Sequence, residues 1–427
     1  MMHTKLLGSL ALSTMLMVGF SGCGGSSSSA SQSAASGTTT VTPYERVAVL
    51  SGTWADVPAV ADKLAQFVTL TDEDAALGFS SGGWVIAGAN PSKSETYSTD
   101  DLLPIPGMGS TVTGTSRVVE YCNGTYAGQA MGTGLKHGPA LPCEVSVHSD
   151  GTNIYIDMLN ADAIFSIFFT DISDPDGTLA AMASQVKSEL RTMIKAALDD
   201  TTTVAANADG SDPLTDTAPL LTVAVPYIES TEALGPQFTA DEISSDIALR
   251  SPYIVYKYRD GGTFTGTDAK TLAQDIIDTL GDGTIKTANQ TIGLEGLSAG
   301  SLWRSGRPAP LPIPGIQVVE ACSPKYAKKA TALGNQYITA LPCEVSVYVD
   351  ETDPTGETLA ISFLNPNFMF GTMFKGAVES AYTSGTITQD DVIEYSTLAE
   401  VVFGDLRMIV DHAVQHNTLG RTLTVTP

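Results

Sequence analysis

The octet ALPCEVSV is written twice in this chain, at Ala140–Val147 and at Ala340–Val347. Identity at an offset of 200 residues marks a duplicated folding unit, and any fold the chain takes must accommodate that unit twice. The likeness runs well beyond the octet. VVEYCNGTYAGQAMGTGLKHGPALPCEVSV (Val118–Val147) aligns without a gap on VVEACSPKYAKKATALGNQYITALPCEVSV (Val318–Val347). LPIPG occurs at Leu103–Gly107 and Leu311–Gly315, MLNADAIFSIFF (Met158–Phe169) answers FLNPNFMFGTMF (Phe363–Phe374), and SELRTMI (Ser188–Ile194) answers GDLRMIV (Gly404–Val410). A repeat of about 160 to 200 residues is a domain, far longer than one turn of a solenoid or one propeller blade.

Within a copy, ERVAVL (Glu45–Leu50) reads as a strand and VPAVADKLAQFV (Val57–Val68) has helical spacing. GWVIAG and RVVEYC are further strands. The segment after the first cysteine begins a helix, with Ser323 suited to the N-cap and Pro324 to the first turn of the second copy. CEVSVHSDGTNIYIDML alternates on both sides of Asp150-Gly151, a hairpin signal. A long helix closes each copy. Strands and helices do not alternate regularly, so the expected class is α+β rather than a doubly wound sheet. The expected division is a leader over 1–22, a tether over 23–42, the first repeat over 43–199, a linker over 200–217, the second repeat over 218–417 and a tail over 418–427.

The elements VVEYCN, YA and LPCEVSV, with VVEACSPKYA, LPCEVSV and LN in the second copy, resemble the signature of family 302 among the domains of unknown function. The resemblance implies a fold like that of the TATA-binding protein, a curved antiparallel sheet gripping a long C-terminal helix. It implies no activity. This chain departs from the family pattern at Asn123-Gly124, where the family has Asn-Pro, and in insertions before each LPIPG. If single-domain members pair as dimers, this chain would hold both halves covalently as an intramolecular pseudo-dimer.

Cys122 with Cys143, and Cys322 with Cys343, recur at the same 21-residue spacing. In an oxidising compartment that pattern favours one disulfide per repeat. A closed loop of about 20 residues would add roughly 3 kcal/mol on the chain-entropy argument. Two alternatives stay open. The four thiols could pack as small hydrophobes, or they could form a redox or copper site, since two thiolates suit Cu(I). The candidate neighbours are Glu120, Glu320, Tyr126 and Tyr326. A helix start after Cys122 would favour a thiolate by about 0.3–1 kcal/mol, and Glu120 and Glu320 would oppose it. Tetrahedral zinc lacks ligands, because His137 becomes Tyr337 in the second copy. No metal site and no cofactor beyond that minor copper option is expected.

Lys5, the apolar run Leu6–Phe20 and FSGC ending at Cys23 resemble the leader and lipobox of a bacterial lipoprotein. Cys23 is then the lipid-attachment residue. The following GGSSSSASQSAASGTTT is a tether of about 20 residues with a reach of roughly 25 Å. Gly24, where an aspartate would favour the inner membrane, makes the outer membrane of the cell envelope the better expectation. The formal net charge is -25, from 47 acidic and 22 basic residues. That balance argues against nucleic acid, whose phosphates need a basic face.

Several local motifs carry little. GLSAG (Gly296–Gly300) fits the nucleophile-elbow pattern around Ser298, yet a proline-rich stretch follows where a helix is required. His412 and His416 stand one helical turn apart with no counterpart in the first copy. DISDPDG (Asp171–Gly177) and DGSDPLTD (Asp209–Asp216) lack the spacing of a calcium loop and read as turns. The sequence therefore points to an envelope lipoprotein that binds a small ligand or an envelope partner without catalysis. A thiol-redox or copper-handling protein and a structural envelope component are the alternatives.

Overall fold

The alternation and helical spacing legible in each copy are realised twice, in the same order. The computed structural model describes residues 40–69, 77–86, 116–141, 143–201, 223–239, 241–243, 245, 250–280, 303–305, 309–340 and 343–426. The leader, Cys23, the tether up to residue 39, the first LPIPG, Ser298 and the linker from residue 202 lie outside the described residues.

After a two-residue β1 (Thr40–Val41), the first repeat runs β2 (Tyr44–Ser51), α1 (Val57–Thr69), β3 (Val85–Ile86), β4 (Arg117–Cys122), α2 (Gly124–Met131), β5 (Cys143–Ser149), β6 (Asn153–Leu159), α3 (Ala161–Phe168) and α4 (Thr178–Asp199). Three short strands follow: β7 (Tyr227–Glu229), β8 (Ala233–Leu234) and β9 (Phe238–Thr239). The second repeat then runs β10 (Tyr253–Arg259), α5 (Gly266–Leu280), β11 (Arg304–Ser305), β12 (Leu311–Ile313), β13 (Ile316–Cys322) and α6 (Pro324–Leu333). It ends with β14 (Cys343–Val349), β15 (Leu359–Leu364), α7 (Pro366–Thr372), α8 (Ala377–Thr383), α9 (Gln389–Gln415) and β16 (Thr424–Thr426). A 3-10 segment, Leu135–Ala140 or Asn335–Ala340, precedes the LPC strand of each copy.

Apart from β1 and β9, which pair with each other in a two-stranded sheet, the strands form two curved antiparallel sheets. Their orders are β3-β4-β5-β6-β2-β7 and β11-β13-β14-β15-β10-β16, with β8 added to β2 and β12 to β13. Position for position the two orders are equivalent, so the α+β class and the duplication both hold. One difference from the expected division concerns the edges. β7 and β8 fall past residue 218 yet pair with β2 of the first sheet, and β16 falls in the expected tail yet pairs with β10. Both segments follow a long helix and cover an outer strand whose N–H and C=O groups would otherwise stand open. Runs of two or three residues are too short to show a period of two.

One face of each sheet carries the main core. Val119, Tyr121, Val145, Val147 and Ile156 pack with Leu64 of α1 and with Val186, Leu190 and Ile194 of α4. In the second repeat Val319, Val345, Val347, Ile361 and Phe363 pack with Leu272 and Ile276 of α5 and with Leu406, Ile409 and Val410 of α9. The opposite faces turn toward the other repeat, and there the contacts are reciprocal. Gly138 of the first 3-10 segment closes on Ile316 and Ser346, while Ile338 of the second packs on Val118. Tyr44 meets Tyr337 edge-on at 5.4 Å, Phe168 meets Phe368 at 5.7 Å, and the Tyr44 hydroxyl donates to the Met373 carbonyl at 3.1 Å.

Candidate functional site

The cysteines sit on the paired strands β4–β5 and β13–β14. Strand register sets Tyr121 directly opposite Cys143 and Ala321 directly opposite Cys343. Side chains opposite one another share a face, and neighbours along a strand do not. Cys143 therefore leaves the sheet with Tyr121 and Val145, whereas Cys122 belongs to the face of Glu120. None of the four cysteines is joined in a disulfide. The expected disulfide is not present in this structure, where a register offset of one residue turns the two sulfurs to opposite sides.

Cys122 and Cys322 are buried, and Cys143 and Cys343 are partly exposed. Desolvation, reinforced by Cys122 and Glu344, pushes the Cys143 thiol up to about 12, and desolvation with Glu344 does the same to Cys343. At neutral pH such thiols stay protonated, the reverse of what an attacking thiol requires. Among the described residues no group of three His, Cys, Asp or Glu side chains is arranged to hold a metal ion.

The candidate neighbours divide between two places. Tyr126 and Tyr326 enter a hydrogen-bonded triad that occurs once in each repeat. In the first, the Trp84 indole donates to Glu189 at 3.2 Å, the Tyr126 hydroxyl donates at 2.7 Å, and Ser81 adds a third bond at 2.6 Å. In the second, Trp303 and Tyr326 donate to the same oxygen of Asp405 at 2.9 and 2.8 Å. The rings lie 6.1 and 5.7 Å apart, and every member is buried. Burial and the acceptor raise Tyr126 to about 12, so its proton stays on the phenol. Asn123 holds this corner by accepting from the Thr125 and Tyr126 amides at the start of α2 and donating to Ser81. In the second repeat Ser323 takes the N-cap position with Pro324 in the first turn, without a side-chain cap bond.

Glu120 and Glu320 go elsewhere. They face Glu144 and Glu344 across the strand pairs β4–β5 and β13–β14, on the sheet faces that the two repeats press together. The sequence marked Glu120 and Glu320 only as opponents of a thiolate. Glu144 and Glu344 were missed, although both sit inside the duplicated octet.

Two cavities adjoin these groups. One, of about 60 Å³, opens in the second repeat and is lined by Tyr326, Ala330, Cys343, Met369, Phe370, Phe374 and neighbouring apolar residues. Another, of about 30 Å³, lies between the repeats, with Glu144 and Glu344 on its wall. The two share Ala340, Leu364 and Met369 as a partition. The histidines behave as scaffold. His137 is held by Thr133 and Asp171, and His416 ends α9 with its ring stacked on His412 at 4.2 Å. Asp174 of DISDPDG caps α4, accepting from Thr178, Leu179 and Ala180.

With that geometry in place, the comparisons with known proteins fall on the same segments. The family model of the domain of unknown function DUF302 matches residues 109–197 and again 309–387. Both repeats match DUF302. A solved structure titled as an uncharacterized conserved protein DUF302 from Bacillus stearothermophilus is 17% identical, over 35% of this chain and 94% of its own, with a TM-score of 0.24. Among curated proteins nothing matches. The first DUF302 segment contains Glu120, Cys122, Tyr126, Cys143 and Glu189, and the second contains their counterparts except Asp405.

Proposed function

We propose that this protein is a non-catalytic binding module of a bacterial envelope, anchored by a lipid on Cys23. Its ligand is small and apolar, or is the apolar end of a longer molecule, and enters the pocket beside Cys343. The pocket is the observation that carries the reading. Its walls are Ala330, Leu364, Met369, Phe370, Phe374 and Val402, and its polar groups are the Tyr326 hydroxyl, already donating to Asp405, and a protonated thiol. Apolar walls gain by being covered with apolar surface. Neither polar group offers the charge that would stabilise a reaction's transition state. At about 60 Å³ the space suits a short alkyl segment. The leader, lipobox and tether support the envelope address, and the matched DUF302 segments supply no activity to set against binding.

A titration of the full chain, carrying methyl-labelled methionine, with 1-hexanol tests this. The Met369 methyl resonance should shift saturably, and Ala330→Phe, which fills the pocket, should abolish the shift while the remaining spectrum persists. A non-saturable drift, or the same shift in the filled variant, would remove the pocket from consideration. The thiol-redox alternative needs reactive sulfurs, and alkylation of the native protein distinguishes it.

A further inference from the structure

A third cavity, of about 240 Å³, opens in the first repeat between α3 and α4. Much of its lining is apolar: Phe165 and Phe169, whose rings stack at 4.4 Å, with Ile172 and Leu179. Asp162 and Asp174 stand on its walls, and the exposed residues Ser166, Ala180 and Ser184 form its rim. An apolar cavity of about 150 Å³ accepts benzene, so this space admits one ring with a short chain. The two acids differ. Asp162 accepts from the Ser184 hydroxyl at 2.7 Å and lies 3.5 Å from Lys187, which is itself 2.6 Å from Glu45. Asp174 accepts from the Thr178, Leu179 and Ala180 amides, and among the described residues no cation acts on it. Partial desolvation raises that carboxyl, but the three amides outweigh it, so Asp174 lies below its usual range and is ionised at neutral pH. A carboxylate has about four acceptor directions, and at Asp174 one remains on Oδ1.

The other repeat shows what covers such a helix face. Asp162, Phe165, Ser166 and Phe169 correspond to Asn367, Phe370, Gly371 and Phe374, and Phe370 and Phe374 again stack, at 5.1 Å. There the guanidinium of Arg250 lies on the helix. Its Nη1 donates to the Asn367 carbonyl at 2.7 Å, and a Cβ at Gly371 would come within 2.5 Å of its Nη2. In the first repeat the Asp162 carbonyl accepts instead from the Ser166 hydroxyl at 2.7 Å. No arginine stands in the corresponding place. The Pro43 and Pro252 carbonyls accept from the Asn160 and Asn365 amides, both at 2.8 Å, which sets Val41 where the second copy has Arg250. One helix is thus covered by a cation from its own chain, and the other has carboxylates and open space.

We propose that the groove between α3 and α4 binds a small organic cation, a guanidinium or primary ammonium carried on an aromatic or short alkyl body. The body lies along Phe165 and Phe169, and the cationic head reaches Asp174. The formal net charge of -25 favours the approach of such ligands and opposes anions. This site is separate from the pocket beside Cys343, and neither depends on the other.

The test titrates the full chain, carrying methyl-labelled alanine, with 2-phenylethylguanidinium at neutral pH. The Ala180 and Ala183 methyl resonances should shift saturably. 2-Phenylethanol, which keeps the ring and lacks the charge, should bind about threefold more weakly or worse, and 3-phenylpropionate should not bind. Asp174→Asn should weaken the guanidinium probe about two- to fivefold, the scale of one partly exposed ion pair, and leave 2-phenylethanol unchanged. Ala180→Trp, at an exposed position, should fill the groove and abolish the Ala183 shift. Absence of a saturable shift, equal binding of either comparison probe, or undiminished binding by Asp174→Asn overturns the proposal. Should Asp174→Asn not fold, added salt decides the matter in the wild type, since it should weaken the guanidinium probe and spare 2-phenylethanol; equal effects on both would overturn the cation assignment.

Discussion

At the scale of single residues, the buried Trp–Tyr–carboxyl triads bear directly on stability. Each tyrosine hydroxyl donates to a carboxyl oxygen shut away from water, so removing the donor leaves a poorly satisfied acceptor. Tyr126→Phe and Tyr326→Phe should each destabilise the protein by about 1–3 kcal/mol, read from urea unfolding midpoints. The cysteines give a second expectation. With Cys143 and Cys343 held near 12, iodoacetamide at pH 8 should label neither in the native protein at an appreciable rate, and both should react once denaturant exposes them. Rapid native labelling would contradict the assignment of these sulfurs as packing groups. The sequence revealed that the thiols recur and sit on strands. It could not reveal their register, because a slip of one residue exchanges the faces of a strand without altering its pattern. It also concealed the triads. Tyr126 and Tyr326 keep the offset of 200, but Trp84 and Trp303 are 219 apart and Glu189 and Asp405 are 216 apart, with Glu exchanged for Asp.

At the scale of elements, local chemistry explains most of what was readable. α9 starts at Thr388, whose hydroxyl accepts from the Asp391 amide at 3.3 Å while the Asp391 carboxyl accepts from the Thr388 amide at 2.7 Å. Thr388→Ala should cost about 1 kcal/mol, seen as a lower denaturation midpoint. The hairpin at Asp150-Gly151 was legible because Gly151 adopts φ 98° and the flanking strands alternate. The short helices α3 and α7 were not, since seven or eight residues give barely two turns of periodicity. Nor were the edge strands. A chain ending at Leu423 would lose β16 and uncover the outer edge of β10 at Lys257, Tyr258 and Arg259. Sedimentation should then show concentration-dependent association, as expected of an open strand edge.

At the scale of the whole molecule, duplication was plain from the octet alone, but the way the halves meet was not. Residues Glu144, Ser146, Glu344 and Ser346 alternate as polar positions in a half-buried strand would, so they read as solvent-facing. Among the described residues, the 3-10 segment of the opposing repeat packs over these strands. Gly138 shows how tight the fit is, since a Cβ there would be driven into Ile316 Cδ1 and Ser346 Oγ across the boundary. Gly138→Ala should therefore cost about 1–3 kcal/mol, read by calorimetry, and should speed amide exchange at both 3-10 segments.

The position of β7 has a practical consequence. A single proteolytic nick between residues 202 and 222 would not separate the halves, because the downstream fragment still contributes β7 and β8 to the upstream sheet. The nicked molecule should migrate as one species under native conditions and as two after denaturation. Fragments produced apart should reassemble more weakly on mixing when the downstream piece begins after Leu234 and so lacks both strands.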